Sequence, residues 1–145
     1  AKELLESARI TGNNRIMTKS HTRKVLVVED NELNMRLFCD LLDAFGFETF
    51  QCRDGAKAVE IARQELPDLI IMDIQLPEVS GLDITRWLKD DDKVAHIPVL
   101  AVTAFAMRAD EQRVREAGCE GYLSKPIQIA TFIKAVEALM PKEAA

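Results

Sequence analysis

Four short runs of strand character in this chain each end at a side chain able to do polar chemistry. Glu29 and Asp30 follow Val25 to Val28, Asp73 follows Leu69 to Met72, Thr103 follows Val99 to Val102, and Lys125 follows Tyr122 to Ser124. Three carboxylates brought together would repel and raise one another's pKa unless a cation sat among them. An oxygen-only donor set, with no Cys or His, suits Mg²⁺, which keeps several waters and takes one or two carboxylates. A carboxylate is also a nucleophile toward phosphorus and can form an aspartyl phosphate. With Lys125 to neutralise phosphoryl charge and the Thr103 hydroxyl to bond a phosphoryl oxygen, the set is complete for taking up and holding a phosphate. No glycine-rich phosphate loop is present, so a bound nucleotide is not the obvious donor.

Taken singly, each of these residues has a plainer role. An Asp after a strand is commonly a turn or cap residue, Thr103 is a β-branched strand end, and Lys125 is a solvated loop charge. Tyr122 reads as a half-buried strand aromatic and Trp87 as a partly buried packing residue. Asp90-Asp91-Asp92 reads as a solvated helix end, and His21 and His96 as residues without a chemical role. Only the joint placement favours chemistry, and that placement depends on the elements.

From Lys24 onward, β-rich apolar runs alternate with stretches of helical period. Val25 to Val28 has the continuous branched character of a strand buried on both faces, and the next segment puts Leu37, Phe38, Leu41, Leu42 and Phe45 on one helical face, ended by Gly46. Thr49 to Cys52 is a weaker strand. Asp54 caps a helix that buries Ala58, Val59 and Ala62, and Pro67 stops it ahead of Leu69 to Met72. Ser80 with Asp83 resembles a capping box for a helix burying Leu82 and Leu88. Pro98 precedes the strand from Val99, a helix follows around Glu111 to Ala117, and Phe132, Ile133, Val136 and Leu139 mark a last helix after the strand Tyr122 to Ser124. Five βα units imply an α/β fold with a parallel sheet covered by helices on both faces. Ligands of such sheets bind beyond the carboxyl ends of the strands, the rim that Glu29, Asp30, Asp73, Thr103 and Lys125 share.

The length of 145 residues is one domain's worth, and 48% hydrophobic residues suffice for a core. A net charge of −5 and a pI near 5.1 argue against nucleic acid and against anionic lipid as partners. No apolar run approaches the ~18 residues of a membrane span and none reads as a secretory signal, so a soluble, cytoplasmic protein is expected. Three cysteines, Cys39, Cys52 and Cys119, without CxxC spacing and with only two histidines, support neither a disulfide framework nor a zinc site. They read as free thiols. Four basic against two acidic side chains give the first 22 residues +2, so the remainder carries −7 of the total. Residues 1–22 are therefore expected to be an extension, upstream or artificially added, with residues 23–141 as the domain and 142–145 as a tail. A short helix at Ala1 to Ile10 would be marginal alone.

The segments Val27-Val28-Glu29-Asp30-Asn31, Met72-Asp73-Ile74-Gln75-Leu76-Pro77 with Gly81, Val102-Thr103-Ala104 and Ser124-Lys125-Pro126 resemble the signature segments of response-regulator receiver domains. The resemblance implies a doubly wound (βα)5 fold of the flavodoxin-like type with strand order 2-1-3-4-5. It implies Asp73 as phosphoacceptor for a sensor histidine kinase or a histidine phosphotransferase, with Lys125 at the phosphoryl group. It implies Mg²⁺ on Asp30, Asp73 and the Gln75 backbone carbonyl with Glu29 acting through water, Thr103 and Tyr122 as paired switch residues, and a cis Lys125–Pro126 bond. By the same resemblance Gln75, Ala104 and Phe105 flank the phosphoryl group and set its lifetime. Several segments look closest to the single-domain cell-division regulators of this family. Only four residues follow Pro141, so no output domain is expected and the signal would leave through protein contacts on the last two helices and fifth strand, where Arg108, Glu111, Arg115, Lys134 and Glu137 are candidates. Two alternatives stand beside this: a Mg²⁺-dependent phosphohydrolase, weakened because Gln75 replaces the second acid of a DxD pair, and a docking module that has kept only the fold.

Overall fold

The computed structural model describes residues 22–104 and 108–140, with the backbone only at 108 and 109. The expected N-terminal extension up to residue 21, Phe105 and the tail from Pro141 lie outside the described residues.

The elements alternate as β1 (Lys24–Val28), α1 (Glu32–Ala44), β2 (Glu48–Cys52), a 3-10 turn (Gly55–Lys57) leading into α2 (Ala58–Glu65), β3 (Leu69–Asp73), α3 (Gly81–Lys89), β4 (Val99–Thr103), α4 (Arg108–Glu116), β5 (Gly121–Ser124) and α5 (Ile129–Leu139). All strand pairs are parallel and the sheet order is β2-β1-β3-β4-β5. The sheet divides the core in two by the strand's two-residue period. Leu26, Val28, Ile70, Met72, Val99 and Ala101 meet Ala58, Ala62, Leu82, Ile84, Leu88 and Val114 of α2, α3 and α4 on one face. Val25, Val27, Leu69, Ile71, Leu100 and Val102 meet Met35, Phe38, Leu42, Phe132 and Val136 of α1 and α5 on the other. There the Phe38 and Phe132 rings stack with centroids 5.4 Å apart.

Local signals set the boundaries. Asn31 Oδ1 caps α1 by accepting from Asn34 N–H at 2.9 Å. Its other end closes with Gly46 at φ 88°, Gly46 N–H on Asp43 O and Phe47 N–H on Leu42 O, the paired bonds of a Schellman stop. Asp54 Oδ1 caps the turn before α2 through Ala56 N–H.

Three packing expectations are corrected. Leu37 and Phe45 are 41% and 53% exposed, because α1 turns only Met35, Phe38, Cys39 and Leu42 fully inward and the apolar stripe in the sequence is wider than its contact. Trp87 is 48% exposed on the outer side of α3, whose buried face is filled by Leu82, Ile84, Thr85 and Leu88. The capping box at α3 is half formed: Ser80 Oγ accepts from Leu82 N–H, while Asp83 pairs with Arg86 at 2.9 Å. Asp91 is likewise more than a solvated end, since it pairs with Arg63 at 3.3 Å and accepts from Lys93 N–H. All three cysteines are buried.

Candidate functional site

The parallel ladder brings the carboxyl ends of β1, β3, β4 and β5 to one rim, with Asp73 opposite Val102 and Thr103 opposite Ser124. Glu29 and Asp30 come directly after β1. The β3 end is anchored by Ile74 N–H on Val102 O at 3.1 Å, and the β5 end by Lys125 N–H on Thr103 O at 2.7 Å. The Lys125–Pro126 peptide is cis, as the resemblance implies.

Glu29, Asp73 and Thr103 are buried, at 1%, 3% and 1% exposure, whereas Asp30 is open to solvent. One ligand oxygen from each of Glu29, Asp30 and Asp73 lies within 4.8 Å of the others. Lys125 Nζ reaches between the two buried acids, 3.5 Å from Glu29 Oε1 and 3.6 Å from Asp73 Oδ1. Both carboxylates are steadied by main-chain donors two residues on: Asn31 N–H gives to Glu29 Oε2 at 3.1 Å and Gln75 N–H to Asp73 Oδ1 at 3.0 Å. One ammonium cannot balance three carboxylates. Burial above all, and then the shared hydrogen bond with Asp73, push Glu29 from the usual carboxylate range up to about 7, against the opposing pull of the Asn31 amide and Lys125. A hard divalent cation fits this cluster on the chemistry of its donors. They are all oxygen, no His or Cys joins them among the described residues, and the open side at Asp30 leaves room for waters.

Thr103 projects to the α4 side of the sheet, by the alternation that places Val99 and Ala101 there. It opens on a cleft of about 220 Å³ lined also by Ile74, Gln75, Ser80, Asp110 and Arg113. Tyr122, paired with Ala101, is half-buried against the same layer. Burial, and then the negative charges of Asp110 and Glu111 on α4, raise its phenol pKa. Of the outward candidates, Arg115, Lys134 and Glu137 are exposed and Glu111 is intermediate, while the Arg108 side chain is not described.

Two contributors were not legible as such. Gly81 opens α3 so close to β3 that a Cβ would press on the Asp73 carbonyl oxygen and lie 2.8 Å from Ile74 Cα. A glycine where a helix begins beside a strand end is the available signal for such a contact. The Gln75 side chain, expected to act only through its carbonyl and its place near the phosphate, accepts the Ala104 N–H at 2.8 Å through Oε1. Nothing in the residue order announces that bond.

Comparison with known proteins agrees with this geometry. The family model for the response regulator receiver domain matches residues 25–137. The polar-differentiation response regulator DivK of Brucella anthropi is 58% identical over 118 residues, 81% of this chain and 96% of that protein. DivK of Brucella ovis is 58% identical over 119 residues, 82% of this chain and 97% of that protein. Among solved structures, Vibrio cholerae chemotaxis protein CheY4 superposes with TM-score 0.79 at 24% identity, covering 83% of this chain and all of its own, a likeness of fold. The receiver domain of sensor histidine kinase PA1611 of Pseudomonas aeruginosa, described with a magnesium ion coordinated in its active site cleft, superposes with TM-score 0.76 at 29% identity over 82% of this chain and 98% of that one.

Proposed function

Since the chain belongs to the response regulator receiver domains, we propose that it takes a phosphoryl group on Asp73 from a histidine-phosphorylated donor and switches its protein-binding surface. The observation that carries this is the placement of Asp73. It is buried at the end of the central strand, with Oδ1 held by the Gln75 N–H and the Lys125 ammonium 3.6 Å away. One Asp73 carboxylate oxygen donates an electron pair to phosphorus as the bond from phosphorus to the donor's imidazole nitrogen breaks. That nitrogen keeps the bonding pair, and an acyl phosphate remains on Asp73. Lys125 offsets the charge on the phosphoryl oxygens and the Thr103 hydroxyl donates to one of them. Glu29, Asp30, Asp73 and the Gln75 carbonyl are the residues that would hold Mg²⁺, which when bound supplies positive charge to the carboxylates and phosphoryl oxygens.

Residues 23–141 are the receiver unit in this reading, and residues 1–22 stand outside it. The donor is a sensor histidine kinase, which also serves as phosphatase, or a histidine phosphotransferase. The matched region fills 97% of a DivK relative's own length, so that relative is little more than a receiver domain; in this reading, output passes through protein contacts on α4, β5 and α5. Thr103 moving toward the phosphoryl group and Tyr122 turning behind it would repack that face. The relatives' name, polar-differentiation response regulator, supports a role in cell-cycle or cell-division control, and a cytoplasmic location is part of this proposal. No helix of the described residues is long and apolar enough to cross a membrane. A phosphohydrolase has less support, since Gln75 stands where a second acid would and its side chain is engaged with Ala104.

The test is intact-mass measurement after incubation with acetyl phosphate and Mg²⁺. Wild type should gain a single phosphoryl group, and Asp73→Asn, nearly isosteric but a far poorer nucleophile, should gain none at unchanged stability. Full labelling of the variant would reject Asp73 as the acceptor, and multiple turnover by wild type would favour the hydrolase.

A further inference from the structure

The β3–β4 ladder is closed at its last rung by a side chain. In a parallel pair, a residue that donates its N–H to one carbonyl of its neighbour is due to accept, at its own carbonyl, from the N–H two residues further along that neighbour. Ile74 donates to Val102 O at 3.1 Å, so its carbonyl is due to the Ala104 N–H. Instead, Ile74 O takes Gly81 N–H at 3.1 Å, and Ala104 N–H goes to Gln75 Oε1 at 2.8 Å. The main chain of the same residue holds Asp73 Oδ1. Gln75 thus touches both the reactive carboxylate and the first amide beyond Thr103.

We propose that Gln75 is a positioning residue that couples the state of Asp73 to the β4–α4 junction. Its side-chain carbonyl holds the Ala104 N–H while Asp73 is unmodified, and releases it when a phosphoryl group fills the rim. This rests on Asp73 being the phosphoacceptor. In this proposal the Ala104 N–H passes from Gln75 to a phosphoryl oxygen, which is favourable because a charged phosphoryl oxygen is a stronger acceptor than a neutral amide carbonyl, and Gln75 is exposed, so its freed carbonyl returns to water. Ala104 is followed closely by α4, which starts at Arg108, so the amide sits at the root of the segment that leads to the proposed output face.

Beryllofluoride with Mg²⁺, a phosphoryl mimic that bonds a carboxylate oxygen, separates the possibilities on ¹⁵N-labelled full-length chain. Saturation should move the Ala104 amide and Gln75 side-chain resonances of wild type. Gln75→Met keeps the length and the backbone carbonyl but removes the acceptor, and it should half-saturate at about fivefold lower beryllofluoride, because one neutral hydrogen bond need no longer be released. Gln75→Glu, a charged acceptor that also repels the anion, should need more. A merely structural role would weaken binding in both variants. Saturation of wild type with an unmoved Ala104 amide, or unchanged or weaker binding by Gln75→Met, overturns this coupling while leaving the phosphoacceptor reading intact. Wild type that takes up neither beryllofluoride nor a phosphoryl group from acetyl phosphate overturns the phosphoacceptor reading and the coupling with it.

Discussion

Replacing Gly81 by Ala tests how tightly α3 holds the reactive strand end. The added methyl would press on the Asp73 carbonyl oxygen and lie 2.8 Å from Ile74 Cα and 3.0 Å from the Asp73 carbonyl carbon. Ordinary contacts between carbons are about 3.5–4.0 Å, so the overlap is of the order of 1 Å. All three atoms are backbone, and no rotamer change relieves them. Either α3 retreats, straining the 3.1 Å bond from Gly81 N–H to Ile74 O, or the end of β3 is pushed away. Overpacking of this kind costs about 1–3 kcal/mol. Straining the hydrogen bond adds up to about 1 kcal/mol, and the better helix propensity of Ala returns less than about 1 kcal/mol. A net loss of about 2 kcal/mol is expected in urea unfolding. Displacement of Asp73 by a fraction of an ångström should also slow phosphorylation by acetyl phosphate, by about 10- to 100-fold. Gly55→Ala is the control: its methyl would meet the flexible Ile84 Cδ1 at 2.6 Å, so it should cost less and leave the phosphorylation rate alone. Wild-type stability and rate in Gly81→Ala would show that the close approach of α3 does not hold Asp73.

Asp30→Ala should weaken Mg²⁺ binding by about tenfold or more in isothermal titration, since it removes the open carboxylate of the cluster. Phe105→Glu should shorten the phosphorylated lifetime about tenfold, or about 1.4 kcal/mol of barrier, by offering a group that orients water where the phenyl has none; an equal or longer lifetime would remove Phe105 from the mechanism. Burial raises the Cys119 thiol from 9.0 to about 11, so the folded state favours the neutral thiol. Its contribution to stability is complete below pH 9 and is lost as pH rises through 11, by roughly 2–3 kcal/mol, a slope that Cys119→Val should lack in denaturation at stepped pH. In α4, Val114 is the buried apolar residue among side chains 110–116, and the helix is otherwise held by surface pairs such as Asp110–Arg113 and Glu111–Arg115. Its amides should therefore exchange at least about tenfold faster than those of α1, and equal protection would refute this account of α4.

What the residue order discloses depends on how many neighbours decide it. β1 from Val25 onward, and β3 and β4 throughout, are buried, so each reads as an unbroken apolar run up to its polar end, and the side chain that follows the run is fixed in place by the end of the run itself. That is why Glu29, Asp73 and Thr103 could be placed on one rim. Helix faces are decided by what packs on them. Leu37, Phe45 and Trp87 have the right period to be buried, yet the layers of Met35, Phe38, Leu42 and of Ile84, Thr85, Leu88 are complete without them. Left-handed backbone at Leu66, φ 48°, and Glu78, φ 69°, carries no residue signal because neither is Gly or Asn. The Gln75–Ala104 bond was the least legible of all, since it stands where the ladder would have paired Ala104 with Ile74, whose carbonyl accepts from Gly81 instead.

The electrostatics of the rim bear on the direction of the proposed switch. Glu29 and Asp73 are buried side by side with the Lys125 ammonium 3.5–3.6 Å away, and burial above all, then the hydrogen bond with Asp73, pushes the Glu29 carboxyl up to about 7. Without a cation, the rim is therefore a place where negative charge is disfavoured, and a phosphoryl group would make it worse. A divalent cation would reverse the sign of that argument, because each added phosphoryl oxygen would then meet positive charge from the cation and from Lys125, and a hydrogen bond from the Thr103 hydroxyl. Metal and phosphate should accordingly bind with positive coupling, each raising the other's affinity by the same factor. In the proposed switch, the movement of Thr103 would be driven by the difference in the phosphoryl group's interactions with the two states of the rim, since a ligand shifts an equilibrium by no more than its difference in affinity for them.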